Sequence, residues 1–133
     1  MKKLLVLLLL APLVAGCAQL QTALNDIQAT YTFATTATVE AGQVGIVANA
    51  FDALKATAVN YSNYCVAQKF PQPVCSASNR RIVIKAVNAG SSARIQLESA
   101  INTGQPATAT LYNALVAAVQ SLQSSAIKSV KGS

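Results

Sequence analysis

The chain has 133 residues, ten lysines and arginines against four aspartates and glutamates, and no histidine. The length suits one domain. The missing imidazole excludes an ordinary catalytic triad and any histidine-ligated metal centre, and the mild, scattered positive charge lacks the dense basic face of a nucleic-acid binder.

The first predicted element follows Lys2 and Lys3: an apolar run from Leu4 to Gly16 with Pro12 inside it. As a helix it would span ~20 Å, short of the ~30 Å hydrocarbon core, so a membrane-spanning helix is a poor reading. A cationic start, a short apolar centre and a small-residue exit predict a secretory signal peptide over residues 1–16, leaving 17–133 as one helical domain. The exit itself, Val14-Ala15-Gly16-Cys17, resembles the lipobox of bacterial lipoproteins.

That resemblance covers residues 1–17 alone. It implies cleavage before Cys17, attachment of fatty chains such as palmitate to its thiol, and usually acylation of the new amino group. One chain gives only reversible membrane binding, whereas two or three hold a protein essentially permanently. Ala18 follows the cysteine. In that family an aspartate there commonly retains the protein in the inner membrane, so its absence implies an outer-membrane anchor facing the periplasm, ahead of the inner membrane.

With Cys17 assigned to lipid, Cys65 and Cys75 remain. An even pair in an oxidising compartment predicts a disulfide. Pro71 and Pro73 lie between them, so the chain must leave the helix and turn there.

The mature part keeps eight cations against four anions and holds 23 alanines. It opens on a helical stripe, Leu20, Leu24, Ile27, Tyr31 and Ala34, spaced 4, 3, 4, 3. The next stretch, TYTFATTATVEAG, carries β-favouring threonines and aromatics. Helix is nevertheless the expectation, since no second strand with turn signals is evident as a partner. Gly42 and Gly45 then mark a kink, a break or a close helix contact.

Val44, Val47, Phe51, Leu54, Ala58, Tyr61 and Cys65 form a heptad seam. An intramolecular core is the expectation for it, with self-association as the alternative. The seam ends at Lys69-Phe70-Pro71. Ser76 or Ser78 caps the next helix, whose apolar face reads Ile82, Ala86, Ala89, Ala93, Leu97 and Ala100 or Ile101. Gly90 in its middle weakens it or admits a close neighbour. Asn102 to Pro106 is a stop signal. The last helix runs from about Pro106 or Thr108 to Val130 on a stripe of Leu111, Leu115, Ala118, Leu122, Ala126 and Val130.

The expected fold is all-α: a small antiparallel bundle of three to four helices with one disulfide-closed interhelical loop. Catalytic residues are not evident. The four acids, Asp26, Glu40, Asp52 and Glu98, are far apart in sequence, and no phosphate loop or nucleophile elbow appears. Neither a metal nor a cofactor is implied.

Lys69, Arg80, Arg81 and Lys85 flank the cysteine loop and form a candidate anion site, weighed against plain solvated charge. Tyr31, Phe33, Phe51, Tyr61, Tyr64, Phe70 and Tyr112 have helical spacing, which assigns them to core or helix interfaces rather than to a sugar platform. The function expected is a non-enzymatic, lipid-anchored envelope protein acting as a structural, adaptor or assembly module. Its partners are the membrane, through the lipid, and either an envelope protein or a second copy. The alternative is a phage- or mobile-element-encoded lipoprotein acting in lysis or exclusion.

Overall fold

A computed structural model of the chain describes residues 31–68 and 72–127. Three helices make the body: α1 (Ala41–Ala67), α2 (Ala77–Asn102) and α3 (Ala109–Ser124). A short 3-10 turn, Pro73–Cys75, precedes α2. Two-residue strands β1 (Thr38–Val39) and β2 (Ala107–Thr108) pair antiparallel, with Thr38 opposite Thr108 and Val39 opposite Ala107. The all-α bundle expected from the sequence is the fold observed.

The heptad seam forms the core face of α1. Val44, Val47, Phe51, Leu54, Ala58 and Tyr61 are all buried and Cys65 is half-buried. They pack on the other two helices of the same chain, so the intramolecular reading holds and the seam is not free for a second copy. Gly42 and Gly45 face open space, and the helix is continuous through both. They mark neither a break nor a close contact, although α1 does begin beside Gly42.

The disulfide between Cys65 and Cys75 joins the C-terminus of α1 to the start of α2, with the Cα atoms 5.4 Å apart. Ser76 is the N-cap of α2, and its hydroxyl accepts from the Asn79 amide at 3.2 Å. At the other end Gly104, at φ 70°, closes the helix. The Gln105 amide donates to the Ala100 carbonyl (2.8 Å) and the Gly104 amide to that of Ile101 (3.1 Å), a Schellman pattern that needs a residue without Cβ. Pro106 then prevents resumption until Ala109.

Two expectations fail here. The stretch from residue 31 to 40 is not helical. Its partner is Ala107–Thr108, a segment that reads in sequence as the start of the last helix. The Ala109 amide also donates to the Ala37 carbonyl at 3.0 Å, so the backbone groups that a helix would pair internally are paired across the chain. Tyr31 and Ala34 therefore belong to this strap, and Phe33 is 51 % exposed rather than an interface residue. Leu20, Leu24 and Ile27 lie outside the described residues, as do Phe70 and Val130.

Secondly, α2 is rotated from its expected face. Val83, Ala86, Gly90, Ala93 and Leu97 are buried, whereas Ile82 and Ala89 are exposed. The cause is Phe51, whose ring lies against the bare Cα of Gly90. In α3 the expected Leu115, Ala118 and Leu122 are buried together with Tyr112, Val116 and Val119, and Leu111 packs at the margin. The helix ends at Ser124 rather than continuing toward Val130, because Ser125 is extended, and Ala126 packs on the core beyond that end.

Helix directions follow from these pairings. Phe51 meets Gly90, Asp52 meets Arg94, and Cys65 meets Cys75. Contacts therefore climb α1 as they mostly descend α2, so the two are antiparallel. β1 leads into α1 and β2 into α3, and the two strands pair, so α3 starts at the end where α1 starts and α2 finishes, and it runs back along α2. The C-terminus of α1 and the N-terminus of α2 consequently share one end, with the disulfide, and α3 runs toward that end without spanning the full length of α1.

Candidate functional site

The disulfide end is built from three elements. The bridge closes the α1–α2 connection, and the Tyr61 hydroxyl donates to the Val74 carbonyl at 2.6 Å. The Asn79 side-chain amide donates to the carbonyls of Pro73 and Val74, each at 3.3 Å. These bonds hold the 3-10 turn against the helices, which fixes where α2 starts. Burial raises the Tyr61 phenol above its usual pKa, and the nearby Arg80 charge partly opposes this.

On that frame the structure places three of the four expected basic residues together. Arg80, Arg81 and Lys85 are all exposed on the first turns of α2. Lys69, the fourth, lies outside the described residues. Arg80 and Arg81, with Ala77 and Ile84, line a shallow open depression. Ile84 is 60 % exposed and Ile82 46 %, so the surface is amphipathic: cations interleaved with bare isoleucines. Periodicity missed this, because it assigned Ile82 to the core.

Among the described residues no carboxylate neutralises this end. The acids of the described elements are Glu40, which caps α1 at the opposite end, Asp52 and Glu98. Between positions 52 and 98, and after 98, the sequence has none. Asp52 and Glu98 are both held by Arg94. Its Nη2 lies 2.9 Å from Asp52 Oδ2 and 3.0 Å from Glu98 Oε1, and Nη1 lies 3.4 Å from Glu98 Oε2. The Arg94–Glu98 half was legible as an i, i+4 pair; the Asp52 half required knowing which face of α1 meets α2.

A second polar feature positions the N-terminal part of the chain. The Asn113 side-chain amide donates to the Ala34 carbonyl (3.2 Å), and its oxygen accepts from the Ala34 amide (2.8 Å). The Gln120 amide donates to the Tyr31 carbonyl at 2.9 Å. Seven helical residues advance ~10.5 Å, and three nearly extended ones ~10 Å, so the strap and the helix match in pitch. Its order is antiparallel to α3: read back toward the N-terminus, the described chain points to the disulfide end. Nothing in the sequence analysis marked Asn113 and Gln120, although amides seven apart on one helix face were a visible signal.

No protein-family model, curated protein or solved structure matches the chain. Among the described residues no helix is long and apolar enough to cross a membrane, and no cluster of potential metal ligands is present. Cys17 lies outside the described residues.

Proposed function

We propose that the protein is a non-enzymatic, lipid-anchored component of the bacterial cell envelope, acting as a structural, adaptor or assembly module. The observation that carries this reading is Val14-Ala15-Gly16-Cys17 after a cationic and apolar leader. The anchor is acylated Cys17 in the outer membrane, with the helical domain in the periplasm. The intramolecular disulfide suits an oxidising compartment. The capture of Asp52 and Glu98 by Arg94, in a chain without histidine, supports a binding role over a hydrolytic one.

The test is metabolic labelling with a fatty-acid analogue in cells expressing the wild-type chain and Cys17→Ser. Label on the wild type alone, together with loss of mature membrane-bound protein in the variant, is the expected result. Equal labelling of both rejects the anchor. Crosslinking in intact cells, followed by detergent extraction and affinity capture, then tests the adaptor role. A stoichiometric envelope protein supports it; turnover of peptidoglycan by the purified protein, lost on Asp52→Asn or Glu98→Gln, overturns it.

A further inference from the structure

Local physics disfavours the start of α2 as it stands. Cations in a first helical turn oppose the helix dipole. Arg81 and Lys85 are like charges four residues apart. Ile82 and Ile84 are left to water beside them. Such local conflict, concentrated in one place, is characteristic of a functional surface. The composition is that of an interfacial membrane contact: apolar side chains to enter the headgroup boundary, ringed by lysine and arginine for anionic headgroups.

Placement says which membrane. The described part of the strap, read from Ala34 back to Tyr31, runs toward the disulfide end, where this surface lies. Only the residues between Cys17 and Tyr31 separate the lipidation position from that strap, ~48 Å even if fully extended. The acids of the described residues lie elsewhere: Glu40 at the far end, Asp52 and Glu98 drawn to Arg94; Asp26 lies outside the described residues.

We infer that the disulfide end of the bundle docks on the bilayer that holds the anchor, with Arg80, Arg81 and Lys85 on anionic lipid headgroups and Ile82 and Ile84 in the interface. The domain thereby stands on its basic end, and the α1 N-terminus, the β1–β2 pair and the α2 C-terminus face away from the membrane. This orientation rests on the lipid-anchor reading for its proximity, while the surface chemistry stands apart from it.

The test uses the full chain, extracted in detergent and reconstituted into vesicles of phosphatidylcholine alone or with about one third phosphatidylglycerol. An amine-reactive reagent labels exposed lysines, and mass spectrometry compares Lys85 with Lys55, which is also exposed but lies midway along α1. Labelling of Lys85 relative to Lys55 is expected to fall roughly fivefold on the anionic vesicles only. The protection is expected to disappear at about 0.5 M salt, where screening acts over ~4 Å, and in the Arg80→Glu/Arg81→Glu double variant, with its helix content checked by circular dichroism.

Equal labelling of Lys85 on both vesicle types overturns the proposal. Protection on neutral vesicles as well assigns the surface to a second copy of the chain and overturns it equally. Failure of the protein to stay with neutral vesicles counts against the anchor, not against the basic surface, so the two readings fail separately.

Discussion

The ring of Phe51 on α1 occupies the volume that a side chain at position 90 of α2 would need: a Cβ on Gly90 would lie within 2.8 Å of three ring carbons. Phe51 is fully buried. At an exposed site, Gly to Ala in mid-helix stabilises by about 1 kcal/mol. Here overlap with a packed ring reverses the sign. Gly90→Ala is expected to lower stability by ~1–3 kcal/mol, read as a shift in urea midpoint. Gly90→Ala combined with Phe51→Leu should cost less than the two single changes summed, since the smaller side chain relieves the overlap. A stabilising Gly90→Ala would refute the close approach.

The disulfide closes a short ring between α1 and α2. In the chain-entropy account a ring of this size contributes ~2.7 kcal/mol. Cys65→Ala/Cys75→Ala is expected to lose about that much while keeping its helical circular dichroism, because Tyr61 and Asn79 still hold the turn. Collapse of the helical signal in the double variant would show that the bridge, not the core, maintains the bundle.

Asn113 satisfies both backbone groups of Ala34. Asn113→Ala leaves them without that partner, at ~1–3 kcal/mol if they remain buried from water, or less if the strap lifts. Lifting has its own signature, namely faster hydrogen exchange at Ala34 and new proteolytic cuts near residues 31–36. Gln120→Ala should do the same at the Tyr31 end alone. Unchanged exchange in both variants would mean that β1–β2 pairing suffices to hold the strap.

Arg94 invites overestimation. Asp52 and Glu98 side chains are each 45 % exposed and that of Arg94 30 %, so solvent screens both pairs. The buried Arg94 Nε has no hydrogen-bond partner among the described residues, which subtracts from the gain. Arg94→Met is therefore expected to change stability by less than about 1 kcal/mol, with a smaller effect at high salt. A loss several times larger would indicate that the triad acts as one coupled network.

Burial raises the phenol pKa of Tyr61 and Tyr112 above the ordinary value near 10. A group whose folded pKa is raised contributes stability fully present below its unfolded pKa. That contribution is lost as pH rises through the folded value. The urea midpoint should therefore be insensitive to these groups up to about pH 9 and fall above about pH 10. An absorbance titration should show Tyr61 and Tyr112 ionising late in the folded protein. Every phenol titrating together at the ordinary value would contradict their burial.

Much of the architecture follows from local pattern. The 3, 4 spacing from Val44 to Tyr61 determines the buried face of α1, since only one side of a helix can carry it. Gly104 before Pro106 ends α2 because the backbone turns left-handed there. Cys65 and Cys75 pair as expected. Tertiary structure decided the rest. Alanines at 86, 89, 93 and 100 fall within about 60° of one another on α2, which draws the expected face toward them; the Phe51–Gly90 contact turns the buried face toward Val83, Gly90 and Leu97. The strap resembles a helix until Ala107–Thr108 is brought to it. The Asn113–Ala34 bonds span 79 positions, and a contact between segments so far apart leaves no local periodicity by which either could announce the other.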